Sequence, residues 1–217
     1  NLQTLVSVVD WGMDLQMAVD SPRWVTLGAG ELVVIANYVF DSLPHDVFEG
    51  RGGALRPGWL YRPSVARYEP PDASRAPRYT GIKTFARCPH VPELLEGVDV
   101  AVVGVPFDTA TSMRPGARFG PEAVRSVSAM LRPYNPSQRT QVFGALSVVD
   151  RGDVHITPGN AERTAGQVAA ALEPVVRAGV RTLTLGGDHS IVLGELRAHA
   201  AVHGPLGLVL LDAHADV

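Results

Sequence analysis

From about residue 97 onward, short apolar runs alternate with longer stretches whose apolar residues recur at helical spacing, and this rhythm constrains the fold more than any other feature. Val98–Phe107 is an almost unbroken apolar run closed by Pro-Phe-Asp, as expected of a strand buried on both faces. Gly120-Pro121-Glu122 opens a helix expected to run to about Arg132, with proline near its first turn and an acid beside it. Ser147–Val154 reads as a second strand, and Asn160 as the cap of a helix through Ala178, stopped by Gly179. Arg181–Leu185 is a third strand, Ser190–Val202 a third helix and Leu206–Leu211 a fourth strand. Strands separated by helices of this length predict right-handed βαβ units: an α/β fold, a parallel sheet with helices on both faces.

Composition narrows the partners. With 46% hydrophobic and 19% charged residues the chain has the makings of a packed globular domain. A net charge of −3 carries no basic footprint for nucleic acid or an anionic membrane, so small molecules and copies of itself are the expected partners. The longest apolar runs are too short to span a bilayer, and Cys88, the single cysteine, permits no internal disulfide. A cytoplasmic location is the expectation, with Cys88 a buried thiol.

In parallel sheets ligands gather at the carboxyl ends of strands, and two polar clusters fall there. Gly186-Gly187-Asp188-His189 follows the third strand, and Asp212-Ala213-His214-Ala215-Asp216 follows the fourth. Were the second cluster fully extended, Asp212 and Asp216 would stand about 13 Å apart, too far to serve one metal cluster. The backbone is therefore expected to curl after Asp212 and bring His214 and Asp216 inward. A set of His189, Asp212, His214 and Asp216 holds carboxylates and imidazoles without thiolate, which favours Mn²⁺ over structural zinc. Two such ions sharing a carboxylate and a water would bring that water's pKa towards neutrality. Taken singly, each cluster has a plainer reading: a turn in which Asp188 or Ser190 caps the next helix, and a polar strand end.

Three stretches together resemble the ureohydrolase family of arginases, agmatinases and related amidinohydrolases. They are Gly186–Ser190, Asp212–Asp216, and Gly104–Asp108 followed by Arg114–Pro121, the last closer to the agmatinase branch. Weaker likeness at Thr84-Phe85, Arg132–Pro136 and Gly152–Val154 extends the resemblance from about residue 52 to the end. The resemblance implies an arginase-like three-layer fold and two Mn²⁺ per complete site. His189 and Asp216 would then ligate one ion, His214 the other, and Asp212 would bridge them and hold the attacking hydroxide. The implied reaction hydrolyses a linear, agmatine-like guanidino compound to urea and an amine, as in polyamine metabolism. A homo-oligomer and a small guanidino substrate are the implied partners.

Arg114, Arg118 and Arg125 suit acids or carbonyls around the first loop better than a cationic substrate. Asp153 reads as a strand-end turn, and His155, His199 and His203 as surface or helix histidines. The family's third metal motif, with two further carboxylates, is not found before Val217. The expectation is therefore an α/β domain incomplete at its C-terminus, binding metal weakly and inactive as 217 residues alone. A non-catalytic metal-binding or oligomerisation fragment is the alternative function; arginase, guanidinobutyrase and proclavaminate amidinohydrolase activities are alternatives within the family.

Three segments are expected: 1–50 an extension, 51–96 an extended N-terminal arm rich in Pro, Arg and Gly, and 97–217 the ureohydrolase α/β domain. Residues 1–24 resemble a segment of γ-glutamyltransferases, without that family's catalytic threonine motif. Residues 31–49 faintly resemble a strand-end segment of S-adenosylmethionine-dependent methyltransferases, without the glycine-rich loop.

Overall fold

The computed structural model describes residues 68–93, 96–135 and 139–212, together with the strand backbones of 32–36, 48–51 and 54–57. In chain order the strands are β1 (Leu32–Ala36), β2 (Phe48–Arg51), β3 (Ala54–Pro57), β4 (Val100–Val105), β5 (Tyr134–Asn135), β6 (Thr140–Gln141), β7 (Val148–Asp153), β8 (Arg181–Gly186) and β9 (Gly207–Leu211). The helices are α1 (Gly120–Ser128), the single turn α2 (Val142–Ala145), α3 (Ala161–Arg177) and α4 (Val192–His203). Two compact units result: Arg62–Gly204, and Asn1–Tyr61 with Pro205–Val217.

The larger unit is built on a parallel sheet in the order β7-β4-β8, with β4 in the middle. Successive side chains of a strand point to opposite faces, and both faces of β4 are covered. Val103 and Val105 join Phe107, Val168, Leu172, Ile191 and Ala198 in one cluster, so α3 and α4 lie on that side. Ala101 extends the same face into a second cluster with Val98, Val149, Val175 and Val180. The opposite face receives α1, which packs on β4 and β8. This two-sided burial is why the run Val-Ala-Val-Val-Gly-Val shows no polar alternation.

Helix α3 forms where its spacing dictates: Thr164, Ala165, Val168, Leu172, Val175 and Val176 are its buried residues. The Asn160 side chain accepts from the Arg163 amide at 2.9 Å, capping its start, and Gly179 at φ 74° ends it. Gly194 lets α4 close on α3, since a Cβ there would lie 2.6 Å from Cβ of Val168 and 2.7 Å from the Ala165 carbonyl.

Helix α1 stops at Ser128, short of the expected Arg132. The Ser128 hydroxyl donates to the Arg125 carbonyl at 2.9 Å and accepts from the Ala86 amide at 2.8 Å. This serine side chain offers the backbone an alternative to further helix, and Met130 and Leu131 fold back in turns.

In the second unit, β9 forms where expected, but its ladder is not the expected continuation of the same sheet. It runs parallel to β1, from Leu32 opposite Gly207 to Ala36 opposite Leu211. The apolar, β-branched Leu-Val-Val-Ile-Ala run supplies the backbone partners that β9 requires. Strands β2 and β3 pair antiparallel. No helix among the described residues is long and apolar enough to cross a membrane.

Candidate metal centre

The turn after β8 is stitched to the neighbouring strand end. The Gly187 amide donates to the Val105 carbonyl at 3.2 Å, and the Asp188 amide to the Phe107 carbonyl at 2.7 Å. Only glycine fits at 187: a Cβ there would overlap the Phe107 carbonyl oxygen and lie 2.7 Å from that of Val105. Asp188 Oδ1 accepts from the Ser190 amide at 3.0 Å and from its hydroxyl at 2.5 Å, capping the 3₁₀ turn His189–Ile191. The capping role considered from sequence is thus realised by Asp188. His189 is the first residue of that turn and is half-buried.

Asp212 follows directly on β9 and is half-buried too. His189 belongs to the larger unit and Asp212 to the smaller. His214 and Asp216 lie outside the described residues, as does the expected curl around them. Among the described residues no three His, Cys, Asp or Glu side chains gather as a metal cluster.

The loop after β4 is organised by another carboxylate. Asp108, only 2% exposed, accepts from the amides of Gly116 at 2.7 Å and Arg118 at 3.2 Å. Its second oxygen takes Arg118 Nε at 2.6 Å and Nη2 at 2.5 Å. Arg118, aided by those amides, holds the Asp108 carboxyl down at about 2. Arg125 of α1 grips Asp150 of β7 and reaches Asp153 Oδ1 at 2.5 Å and the Gly152 carbonyl at 2.9 Å. Arg118 and Arg125 therefore serve acids and a carbonyl, as expected, and Asp153 sits at a strand end paired with Arg125. Arg114 is exposed on the loop with φ of 54°.

His199, His203 and Cys88 are placed by contacts inside the larger unit. Thr182 Oγ1 and His199 Nε2 lie 3.1 Å apart, and the rings of His199 and His203 stack at 6.1 Å along α4. Cys88 is 1% exposed, and burial, with the Asp150 charge behind it, pushes its thiol up to about 12. Sequence reasoning did not single out Asp108 as a ring-closer; its signal was an acid directly after the Pro-Phe that ends an apolar strand.

A parallel sheet with helices on both faces, and polar turns at its strand ends, defines the α/β class, in which ligands gather at the carboxyl ends of the strands. The chain belongs to the arginase family, whose model matches residues 98–217. It is 44% identical over 152 residues to the guanidinobutyrase of Pseudomonas aeruginosa, covering 69% of this chain and 48% of that one. It is 46% identical over 147 residues to the mitochondrial agmatinase of Gallus gallus, covering 68% and 43%. The solved structure of proclavaminate amidino hydrolase from Streptomyces clavuligerus superposes with a TM-score of 0.60 at 41% identity, over 65% of this chain and 46% of that chain. The fold is thus arginase-like, and the chain spans about half the length of the curated relatives it matches.

The donor chemistry suits the ion anticipated from sequence. His189 is presented half-exposed on a turn fixed by backbone bonds, and Asp212 stands at a strand end. Neither belongs to the two hydrophobic clusters found among the described residues. The one thiol is buried, leaving imidazole and carboxylate, which fit a hard or borderline divalent ion.

Proposed function

We propose that the protein is a manganese-dependent hydrolase that cleaves a linear guanidino compound to urea and an amine. The observation carrying this reading is the Gly187-Asp188-His189 turn. It presents an imidazole at a strand's carboxyl end in a chain whose family relatives include a guanidinobutyrase and an agmatinase. His189, Asp212, His214 and Asp216 would hold the two Mn²⁺. When bound, the ions supply Lewis-acid polarisation and a water acidified towards neutral pH.

The chain's own residues have three tasks. The carboxylates of Asp212 and Asp216 would offset part of the ions' charge. The Val105 and Phe107 carbonyls hold the His189 turn in place through Gly187 and Asp188. Arg118 and Arg125 keep their own charges occupied by Asp108, Asp150 and Asp153, away from the substrate cation. A homo-oligomer and a cytoplasmic site of action belong to the same proposal.

The test is metal content and urea release with Mn²⁺ on a full-length version of the protein, using agmatine, 4-guanidinobutyrate and arginine in parallel. One of them should yield urea and its amine in equal amounts, and His189→Ala should abolish the reaction. Urea from none, with Mn²⁺ bound, would favour the non-catalytic reading instead.

A further inference from the structure

We propose that Asp188 is the positioning residue of this centre: its carboxylate joins the His189 turn to the loop 106–118, so that divalent-ion binding and the order of that loop are coupled. This rests on the reading of His189 as a metal ligand.

The two oxygens of Asp188 face different parts of the chain. Oδ1 serves the start of the His189–Ile191 turn through the Ser190 amide and hydroxyl. Oδ2 accepts from the Ala110 amide at 3.0 Å, across the gap to the loop that leaves β4. The Asp188 amide adds a bond to the Phe107 carbonyl on the same loop. A residue that only capped a helix would need the first set alone.

From Ala110 the connection continues. Thr109 Oγ1 accepts from the Gly159 amide at 2.8 Å, and Asp108 closes the loop through Gly116 and Arg118. The His189 turn, the loop and the entry to α1 are therefore linked by two carboxylates, Asp188 and Asp108. Displacing the loop pulls on the turn that presents the imidazole, and an ion that fixes the imidazole restrains the loop. By linkage the two effects are equal in size.

Asparagine separates this role from capping. Asn caps helices as well as Asp, so Asp188→Asn keeps an oxygen for the Ser190 amide. Its NH₂ group then faces the Ala110 N–H, donor against donor, and the loop contact is lost. Ser190→Ala does the converse, removing a capping contact and leaving Oδ2 on Ala110.

The experiment titrates the full chain with Mn²⁺, reading free ion by electron paramagnetic resonance, and follows hydrogen exchange of residues 108–118 with and without the metal. In the wild type, Mn²⁺ should slow exchange in the loop. Asp188→Asn should raise the Mn²⁺ Kd at least tenfold and abolish the loop's response, while the metal-free variant still unfolds in one cooperative transition. Ser190→Ala should stay within twofold of wild-type affinity. Ala110→Pro, which removes the donor from the other side, should reproduce the tenfold loss and decides the matter if Asp188→Asn fails to fold. Wild-type affinity and a responsive loop in Asp188→Asn would overturn the coupling alone. Absence of Mn²⁺ binding by the wild type would overturn the metal reading beneath it.

Discussion

Arg125 holds Asp150 at two points, Nε to Oδ2 at 2.8 Å and Nη2 to Oδ1 at 3.0 Å, with the side chains only 9% and 1% exposed. Asp150 Oδ2 also takes the Phe85 amide and Oδ1 the Gly152 amide, so this pair ties α1, β7 and the segment before Cys88 together. Arg125→Met leaves a buried carboxylate without its cation. The expected loss is about 3–5 kcal/mol, read from denaturant unfolding. Arg125→Lys should recover only part of it, because an ammonium lacks the planar fork that bonds both oxygens and Asp153.

Asp108 has a folded-state pKa of about 2, below its ordinary value of 3.8, with the Arg118 hydrogen bond as the main cause. A depressed carboxyl contributes its stability above its unfolded pKa and loses it as pH falls towards the folded one. The contribution should be whole at neutral pH and fade between about pH 4 and pH 2. Asp108→Asn should therefore be less stable than the wild type at pH 7, with the difference shrinking across that window. A difference independent of pH would count against the pairing.

Gly187→Ala places a methyl group against the Phe107 and Val105 carbonyls. Backbone cannot swing aside as a side chain can, so the strand end must move. A destabilisation on the order of 3 kcal/mol is expected, together with weaker Mn²⁺ binding than in the wild type. Calorimetry and a metal titration on the same sample check both.

Cys88 should be slow to react. With its thiol pushed up to about 12, little thiolate exists at pH 8, and the residue is 1% exposed. A disulfide reagent should label the native protein far more slowly than the denatured one; equal rates would show the site to be open.

The proposed boundary near residue 50 is testable by a chain that starts at Arg51. It loses β1, the ladder partner of β9, and keeps every strand of the β7-β4-β8 sheet. Hydrogen exchange should show that sheet protected as in the full chain, with β9 exposed and β3 too, since it loses its partner β2. Collapse of protection throughout would join the first 50 residues to the domain.

Periodicity was enough to place β4, β7, β8 and the helices between them, because burial on one or two faces is written directly into apolar spacing. Caps were legible for the same local reason, as Asn160 shows. Helix α1 ended early through Ser128, whose bond to Ala86 spans sequence-distant residues and leaves no local mark. The partner of β9 was not legible for a similar reason: β-pairing is a long-range choice, and no spacing rule connects the apolar Leu32–Ala36 to Gly207–Leu211. At the site, the role of Gly187 became visible only with the Val105 and Phe107 carbonyls beside it. The uses of Asp188 and Asp108 depended likewise on which amides the fold brings within reach.

The loop closed by Asp108 has a consequence for how such a molecule changes over time. Its ends are anchored by one side chain to Gly116 and Arg118, while Ser112, Met113 and Arg114 between them are exposed. Replacing those residues alters what is displayed at the sheet's edge without reopening the interior, so the segment behaves as an exchangeable cassette. Sequence variety can then be sampled there at small risk to the scaffold, whether by natural drift or by a library confined to those positions.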